Sequence, residues 1–256
     1  MSALVAYRAA VRAPIGPAAV PGPSPVHPFV LSTTEFEQTT RRIGGTGAQV
    51  HVSQEFAVHR LLREGETAST GLEVVGARKE GRGVRLGLRA EVRGDGGDPV
   101  CAMVTTVLLT GATAPEPFGA MPPLTAPAGS GPGEPVTRTV TLTRADIARY
   151  AEASGDLNPI HLDDEAARAA GFDRVIAHGM NVVALVTELA ADLFAAGDPA
   201  RVRAVGCRFS APVHPDEPVE VTFRPDTAGT VVAFTCATPR GIALKGGWVT
   251  LGAGDD

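Results

Sequence analysis

The chain has 256 residues, and 44% of them are hydrophobic, which suffices for the core of one large domain or two small ones. Its formal net charge of −5 argues against nucleic acid as the main partner, because a phosphate-binding surface requires clustered Lys and Arg. The three cysteines, Cys101, Cys207 and Cys236, are far apart and form no CxxC pair, which favours reduced, buried thiols over disulfides or a metal site.

The amino-terminal region carries no targeting signal that we can identify. Met1 to Arg12 lacks an apolar run long enough for a signal peptide, and no stretch of the sequence reaches transmembrane length. The Pro-rich stretch from Pro14 to Pro28 predicts an extended surface segment. We therefore expect a cytoplasmic protein that does not associate with membranes.

Strands are predicted in the first half, because alternating and β-branched runs are bounded there by Gly or Pro turns. A linker is predicted next, since twelve of the 25 residues in 111–135 are Pro or Gly and hydrophobic periodicity is lost. The predicted organisation is thus a domain over 1–110, a linker over 111–135 and a domain over 136–256. The predicted strands of the first half are Thr70–Ala77, Val84–Val92 and Val100–Leu109.

The second domain is predicted to begin with two short helices. Thr143 and Asp146 have the spacing of a capping box, and Gly155 suits the left-handed residue that ends a helix. Asp163 suits the N-cap of a second short helix, which Gly171 would close.

A longer helix is predicted from His178 or Gly179 to about Ala196. Apolar residues cover most of its circumference, which is typical of a helix enclosed by protein. Three strands follow it, so the pattern suggests a sheet wrapped around a helix. They are Val219–Arg224, Val231–Ala237 and Ala243–Leu251.

The two halves also resemble each other weakly. The segment 55–62 and the segment 208–214 each combine Phe, Val and His, and each precedes a turn and a set of strands. A period near 150 residues suggests the duplication of a whole domain and not a solenoid. His51 and His59 of the first half have no Asp at a matching distance, so we expect that half to be non-catalytic.

The chemistry is concentrated between Tyr150 and Met180. Asp156 follows a helix end, and Pro159 constrains the loop that leads to His161. A carboxylate and an imidazole that converge near one water form a plausible acid/base pair. At the start of the long helix, free N–H groups and the small Gly179 predict an oxyanion hole.

This stretch resembles the MaoC-like family, which includes (R)-specific enoyl-CoA hydratases and 3-hydroxyacyl-thioester dehydratases. The family's fold is the hotdog, a curved antiparallel sheet around one long helix. The resemblance implies an α+β double hotdog whose first copy is degenerate and whose second copy carries the site. It rests on Tyr150, Ser154-Gly155-Asp156, Asn158-Pro159-Ile160-His161, Asp163, Gly171-Phe172, Ala177-His178-Gly179-Met180, Arg208-Phe209 and Pro212-Val213.

The resemblance implies a role for each matching residue. Asp156 and His161 would be the catalytic pair, and the Gly179 N–H would bind the thioester carbonyl. The other residues expected at the oxyanion and substrate site are Asn158, His178 and Thr187. No metal or redox cofactor is expected, and CoA or the phosphopantetheine of an acyl carrier protein would carry the substrate.

Two departures from the family pattern stand out. Pro215-Asp216-Glu217 replaces the Gly-Asp pair that is common after the Phe and Pro-Val element, which matters to a turn. Asn181 stands where an apolar residue is more usual, which could alter the pocket.

The expected function is the reversible hydration of trans-2-enoyl thioesters, or in reverse the dehydration of (R)-3-hydroxyacyl thioesters linked to CoA. One alternative is a 3-hydroxyacyl dehydratase acting on acyl carrier protein in fatty-acid or polyketide synthesis. A second is a non-catalytic acyl-thioester binding protein, which the intact Asp156 and His161 argue against. A hotdog thioesterase is a third. A homodimer is possible in each case.

Overall fold

The computed structural model describes residues 2–43, 49–81, 83–112 and 116–253. In the first half, helices α1 and α2 precede strands β1 to β5. In the second half, β6 is followed by helices α3, α4 and α5 and then by strands β7 to β10. Their bounds are α1 Ala3–Arg12, α2 Pro28–Arg42, β1 Gln49–Val58, β2 Ser69–Glu80, β3 Gly83–Arg93, β4 Pro99–Thr110, β5 Phe118–Gly119, β6 Val136–Thr141, α3 Arg144–Ser154, α4 Asp164–Ala169, α5 Gly179–Phe194, β7 Val202–Phe209, β8 Pro218–Pro225, β9 Val231–Thr238 and β10 Gly241–Leu251.

Within the described ranges, the strands form one ten-stranded sheet in the order β5-β2-β3-β4-β1-β7-β10-β9-β8-β6. Each of its strand pairs is antiparallel. The two halves join where β1 pairs with β7, with Glu55 opposite Gly206 and Phe56 opposite Val205. All six strands predicted from alternation lie inside observed strands, so that prediction is confirmed.

Helix α5 is the long central helix that the sequence predicted. It packs against β7 and β10, and twelve of its residues are buried. The predicted caps of the shorter helices are also present. Thr143 and Asp146 form a complete capping box, Gly155 ends α3 in the left-handed conformation, and the Asp163 side chain caps α4.

The Pro-rich stretch is placed differently from the prediction of an extended surface segment. Val26 is completely buried, His27 is 4% exposed, and Pro28 occupies the first turn of α2. Residues 16–23, by contrast, contain no helix or strand and are exposed or half-buried. The prediction was therefore wrong only for the buried part next to α2, where Pro28 is tolerated because its missing N–H has no intrahelical partner in any case. Helix α2 packs against β2, β3 and β4, as α5 packs against strands of its own half.

The predicted linker lies along the sheet for part of its length. Its residues Phe118 and Gly119 pair with β2. Pro122 packs closely on Gly87 of β3, since a methyl group added at Gly87 would lie 2.5 Å from it. Residues 113–115 of the linker lie outside the described residues. The domain boundaries stay a prediction, although α1 packs against α3 and α5 of the second half.

Among the described helices, none is both long enough and apolar enough to cross a membrane.

Candidate active site

The loop that carries Asp156 begins at the end of α3. Gly155 has a φ of 74°, a conformation that glycine adopts at little cost, and it turns the chain out of the helix. The N–H of Asp156 donates to Oγ of Ser154 at 3.3 Å. The position of Asp156 is therefore set by the helix end that precedes it.

Asn158 shapes the next turn of this loop. Its N–H donates to Oδ1 of Asp156, and its own Oδ1 accepts the N–H of Ile160, both at 3.3 Å. This second bond caps the single 3₁₀ turn Pro159–His161, which presents the His161 ring to the site. Asn158 itself is exposed, so these contacts assign it a loop-shaping part, and its contact with substrate stays a prediction.

His161 is held as a neutral imidazole with a defined tautomer. Its Nδ1 lies 2.9 Å from the carbonyl oxygen of Ile176, and because a carbonyl only accepts, Nδ1 carries the proton. Nε2 therefore holds a lone pair. Burial lowers the pKa of His161, against the opposing effects of the Ile176 carbonyl and the Asp156 charge. The ring is thus suited to accept a proton.

His178 contacts both Asp156 and His161. Its Nε2–H donates to the carbonyl oxygen of Asp156 at 2.9 Å, and its ring stacks on His161 with 3.7 Å between centroids. Burial, followed by the neighbouring His161, lowers the pKa of His178 to about 4. His178 is therefore neutral at physiological pH and holds the loop that carries Asp156.

The predicted pair does converge, and His178 joins it. One ligand-type atom from each of Asp156, His161 and His178 lies within 4.8 Å of the other two. Two histidines and a carboxylate are familiar zinc ligands, but an ion must lie in the plane of each imidazole, about 2 Å from its nitrogen. Two rings stacked with 29° between their planes do not meet this condition. The geometry favours acid/base chemistry.

Gly179 is the first residue of α5, and the His178 side chain does not cap the helix. Among the described residues, the N–H of Gly179 has no hydrogen-bond partner. It therefore remains available at the positive end of the helix dipole. A methyl group at this position would lie 2.8 Å from Cε1 of Phe209, so any larger residue would require the Phe209 ring to move.

The amino-terminal half reaches this site through His51, which the sequence analysis did not single out for it. The His51 ring lies 4.3 Å from the Phe209 ring and stacks on Phe29 at 5.8 Å. A β-bulge between His51 and Ser53 offsets the strand at this point, and bulges commonly redirect side chains near active sites. Burial lowers the pKa of His51 to about 4, so it packs as a neutral ring.

Thr187 lies two turns into α5, about 12 Å from Gly179 at about 1.5 Å per residue. Its hydroxyl donates to the carbonyl oxygen of Val183 at 2.8 Å, and the residue is completely buried. Among the described residues, the only hydrogen bond of the Thr187 hydroxyl is thus within its own helix. Its contact with the acyl chain stays a prediction.

Both departures from the family pattern have structural consequences. Asp216 takes a φ of +63°, a conformation in which glycine is more usual, and its N–H donates to Leu142. Asn181 is 1% exposed, and within the described structure neither atom of its amide finds a partner. Burying an amide without hydrogen-bond partners lowers the stability of the fold. Asn181 therefore places an unpaired polar group where the family usually has an apolar side chain.

Two curated relatives cover much of the chain. It is 31% identical over 213 residues to 3-hydroxyacyl-thioester dehydratase X of Mycobacterium tuberculosis, which covers 80% of this chain and 66% of that protein. It is 28% identical over 179 residues to the peroxisomal enoyl-CoA hydratase 2 of Arabidopsis thaliana, covering 66% of this chain. The chain spans only 57% of the length of the Arabidopsis enzyme.

Solved structures agree on the fold. A MaoC-like dehydratase from Phytophthora capsici superposes with a TM-score of 0.81 at 20% identity, covering 99% of this chain and 93% of that one. A conserved hypothetical protein of Mycobacterium tuberculosis with a double hotdog fold superposes with a TM-score of 0.65 at 16% identity, covering 95% and 90%. The predicted α+β double hotdog is therefore confirmed.

The family model for the MaoC like domain matches residues 127–228. This range contains the strand before α3, the loop that carries Asp156 and His161, α5 and the strand that bears Phe209. It thus coincides with the residues on which the sequence resemblance rests. Residues 127–228 of this chain are therefore a MaoC-like domain.

Proposed function

We propose that this chain catalyses the reversible hydration of trans-2-enoyl thioesters and, in reverse, the dehydration of (R)-3-hydroxyacyl thioesters. The observation that carries the proposal is the convergence of the Asp156 carboxylate and the His161 ring beside the unpaired N–H of Gly179. An acid/base pair next to an oxyanion donor is what the addition of water to a conjugated thioester requires.

In the hydration direction, a water is held between the Asp156 carboxylate and the Nε2 lone pair of His161. Its oxygen adds to C3 of the enoyl group, and the proton that it loses passes to the acid/base pair. The pair returns a proton to C2. The C2–C3 double bond becomes a single bond, the elements of water have been added, and the pair ends in its starting state.

Negative charge develops on the thioester oxygen during this addition. In the proposed mechanism, the Gly179 N–H and the positive end of the α5 dipole stabilise that charge. The loss of one such donor typically costs about 3–4 kcal/mol of transition-state stabilisation. No metal or redox cofactor takes part in the proposed reaction.

The carrier and the setting are also part of the proposal. We favour CoA thioesters because the name of the Arabidopsis relative specifies enoyl-CoA, while an acyl carrier protein is the alternative carrier. The same residues serve both carriers, so a comparison of crotonyl-CoA with crotonyl-acyl carrier protein separates them. We place the enzyme in the cytoplasm, in fatty-acid or polyketide metabolism, and homodimerisation is compatible with the site.

The test is the loss of enoyl absorbance when the pure protein meets crotonyl-CoA. We expect turnover by the wild type and a fall of roughly 10²–10⁴-fold in Asp156→Asn and in His161→Ala, the usual contribution of acid/base groups. Asp95→Asn and His59→Ala change exposed residues of the same types in the other half and should leave the rate unchanged.

Near-wild-type rates in both site variants would exclude this pair as the catalytic groups. Binding of crotonyl-CoA and of its acyl-carrier-protein counterpart without turnover of either would favour the non-catalytic binding protein.

A further inference from the structure

The amino-terminal helix α1 is fastened to the central helix of the catalytic half. Arg8 donates through Nε to both carboxylate oxygens of Glu188 at 3.0 Å, and Arg12 donates to Glu188 at 2.8 Å. Arg12 also forms an ion pair with Asp192 at 2.8 Å. Glu188 is 1% exposed, and such a buried, multiply bonded carboxylate allows little movement of α1 relative to α5.

Tyr7, on the same helix, reaches across to α3. Its hydroxyl lies 3.3 Å from the hydroxyl of Tyr150, and the two rings are 5.5 Å apart. Tyr7 is 0% and Tyr150 is 2% exposed, so neither hydroxyl can exchange its partner for bulk water. Tyr150 lies one turn before Ser154, the last residue of α3 and the start of the catalytic loop.

Tyr150 in turn contacts the residue that braces the catalytic pair. Its ring centroid lies 5.0 Å from that of His178. His178 holds the Asp156 carbonyl and stacks on His161. A continuous series of contacts therefore runs from α1 to both predicted catalytic residues.

This series of contacts adjoins unsatisfied polar atoms. Nδ1 of His178 and both amide atoms of Asn181 are buried, and within the described residues they have no hydrogen-bond partner. His178 is the N-cap of α5, and its carbonyl oxygen accepts the N–H of Asn181 at 3.0 Å. Buried polar groups polarise one another, so the direction in which the Tyr150 hydroxyl points affects the polar groups around it.

We infer that Tyr7 and Tyr150 form a positioning pair that couples the amino-terminal helix to the catalytic loop through His178. The proposed role of both residues is to position other groups and not to exchange protons with the substrate. The pair fixes the end of α3 and the His178 ring, and these fix the Asp156 backbone and the His161 ring. A helix more than 140 residues away in sequence is thereby part of the active site's support.

The inference rests on the proposed function for its kinetic test. Tyr7→Phe removes one hydroxyl and keeps the ring. On crotonyl-CoA we expect kcat to fall three- to tenfold, with KM within twofold of wild type. Tyr150→Phe should do the same, and the double variant should be no slower than the slower single variant, since both changes remove one hydrogen bond.

Thr40→Val is the matched control, because it removes a buried hydroxyl of α2 that bonds only to backbone carbonyls of its own helix. It should lower the melting temperature without changing kcat. Unchanged kcat in both Tyr7→Phe and Tyr150→Phe would overturn the inference.

A spectroscopic measurement separates this inference from the proposed function. In full-length protein with ¹⁵N-labelled histidine, Tyr7→Phe should shift the imidazole signals of His178 and His161, which Tyr7 does not contact. The signal of the exposed His59 should not move. If the wild type lacks turnover, the proposed function fails while these signals still decide the inference, and signals that do not move would refute it.

Discussion

At the scale of single residues, Gly179 shows how the absence of one atom, the Cβ, shapes the site. The Phe209 ring covers it closely, and Phe209 is in turn backed by His51 from the other half. The absence of a Cβ is thus a packing requirement as well as a means of exposing the N–H. The two requirements coincide because the proposed oxyanion donor lies at the contact between α5 and the end of β7.

Replacing Gly179 with alanine tests this requirement. Alanine is normally favoured over glycine in a helix, but the clash with Phe209 should dominate, costing roughly 1–3 kcal/mol as overpacking does. We expect a lower free energy of unfolding in urea and a loss of turnover. Gly71→Ala is the control, since nothing lies within 4 Å of the added methyl. A Gly179→Ala variant as stable and active as wild type would contradict the proposed packing.

At the scale of elements, the association of α1 with α5 depends on buried charge. Arg8 and Arg12 are 4% and 5% exposed, and both bond to the buried Glu188. Arg8 also donates to the carbonyl oxygens of Val20 and Gly22, so it fixes the segment that follows α1 as well. The network stabilises the fold only when every member is present, because a buried charge without its partner is strongly destabilising.

Glu188→Ala should therefore be costly, because it leaves two buried guanidinium groups without their shared carboxylate. We expect a loss of about 3–5 kcal/mol in the free energy of unfolding, measured by urea denaturation. Glu37→Ala removes the partner of Arg41 in an exposed pair on α2 and should cost less than about 1 kcal/mol. Equal losses in the two variants would show that burial of the Glu188 network does not matter.

At the scale of the whole molecule, neutral histidines that are buried or half-buried link the fold to pH. Burial lowers the pKa values of His27, His51 and His178 to about 4. Unfolding returns each to about 6.5, so between these values the unfolded state binds more protons than the folded state. Stability from these groups is therefore complete above about pH 6.5 and is lost as the pH falls towards 4.

We expect the free energy of unfolding to decrease from pH 7 to pH 5, by at most about 1.4 kcal/mol per pH unit for each of these histidines. Urea denaturation at intervals of half a pH unit measures the slope. His27→Gln should reduce the slope, whereas His59→Gln, at an exposed position, should leave it unchanged. A stability that is constant over this range would be inconsistent with neutral buried histidines.

Much of the fold could be predicted because its signals are local. The capping box of α3, the left-handed Gly155 and the alternation within the strands each depend on residues that are close in sequence. The catalytic loop is similar, since Asp156 and His161 are five residues apart on a constrained turn. Helix α1 gave no such signal, because the face that it buries carries Arg8 and Arg12, residues that usually mark an exposed face.

The amino-acid sequence by itself determined the strands, the capped helices and the loop that brings Asp156 to His161, since those features follow from periodicity and turn chemistry. Only the tertiary structure decided which distant groups complete the site. Tyr7 meets Tyr150, His51 meets Phe209, and Arg8 meets Glu188 across separations that no local pattern encodes. The physical reason is that a buried polar or aromatic group is stabilised by whichever partner the fold places beside it.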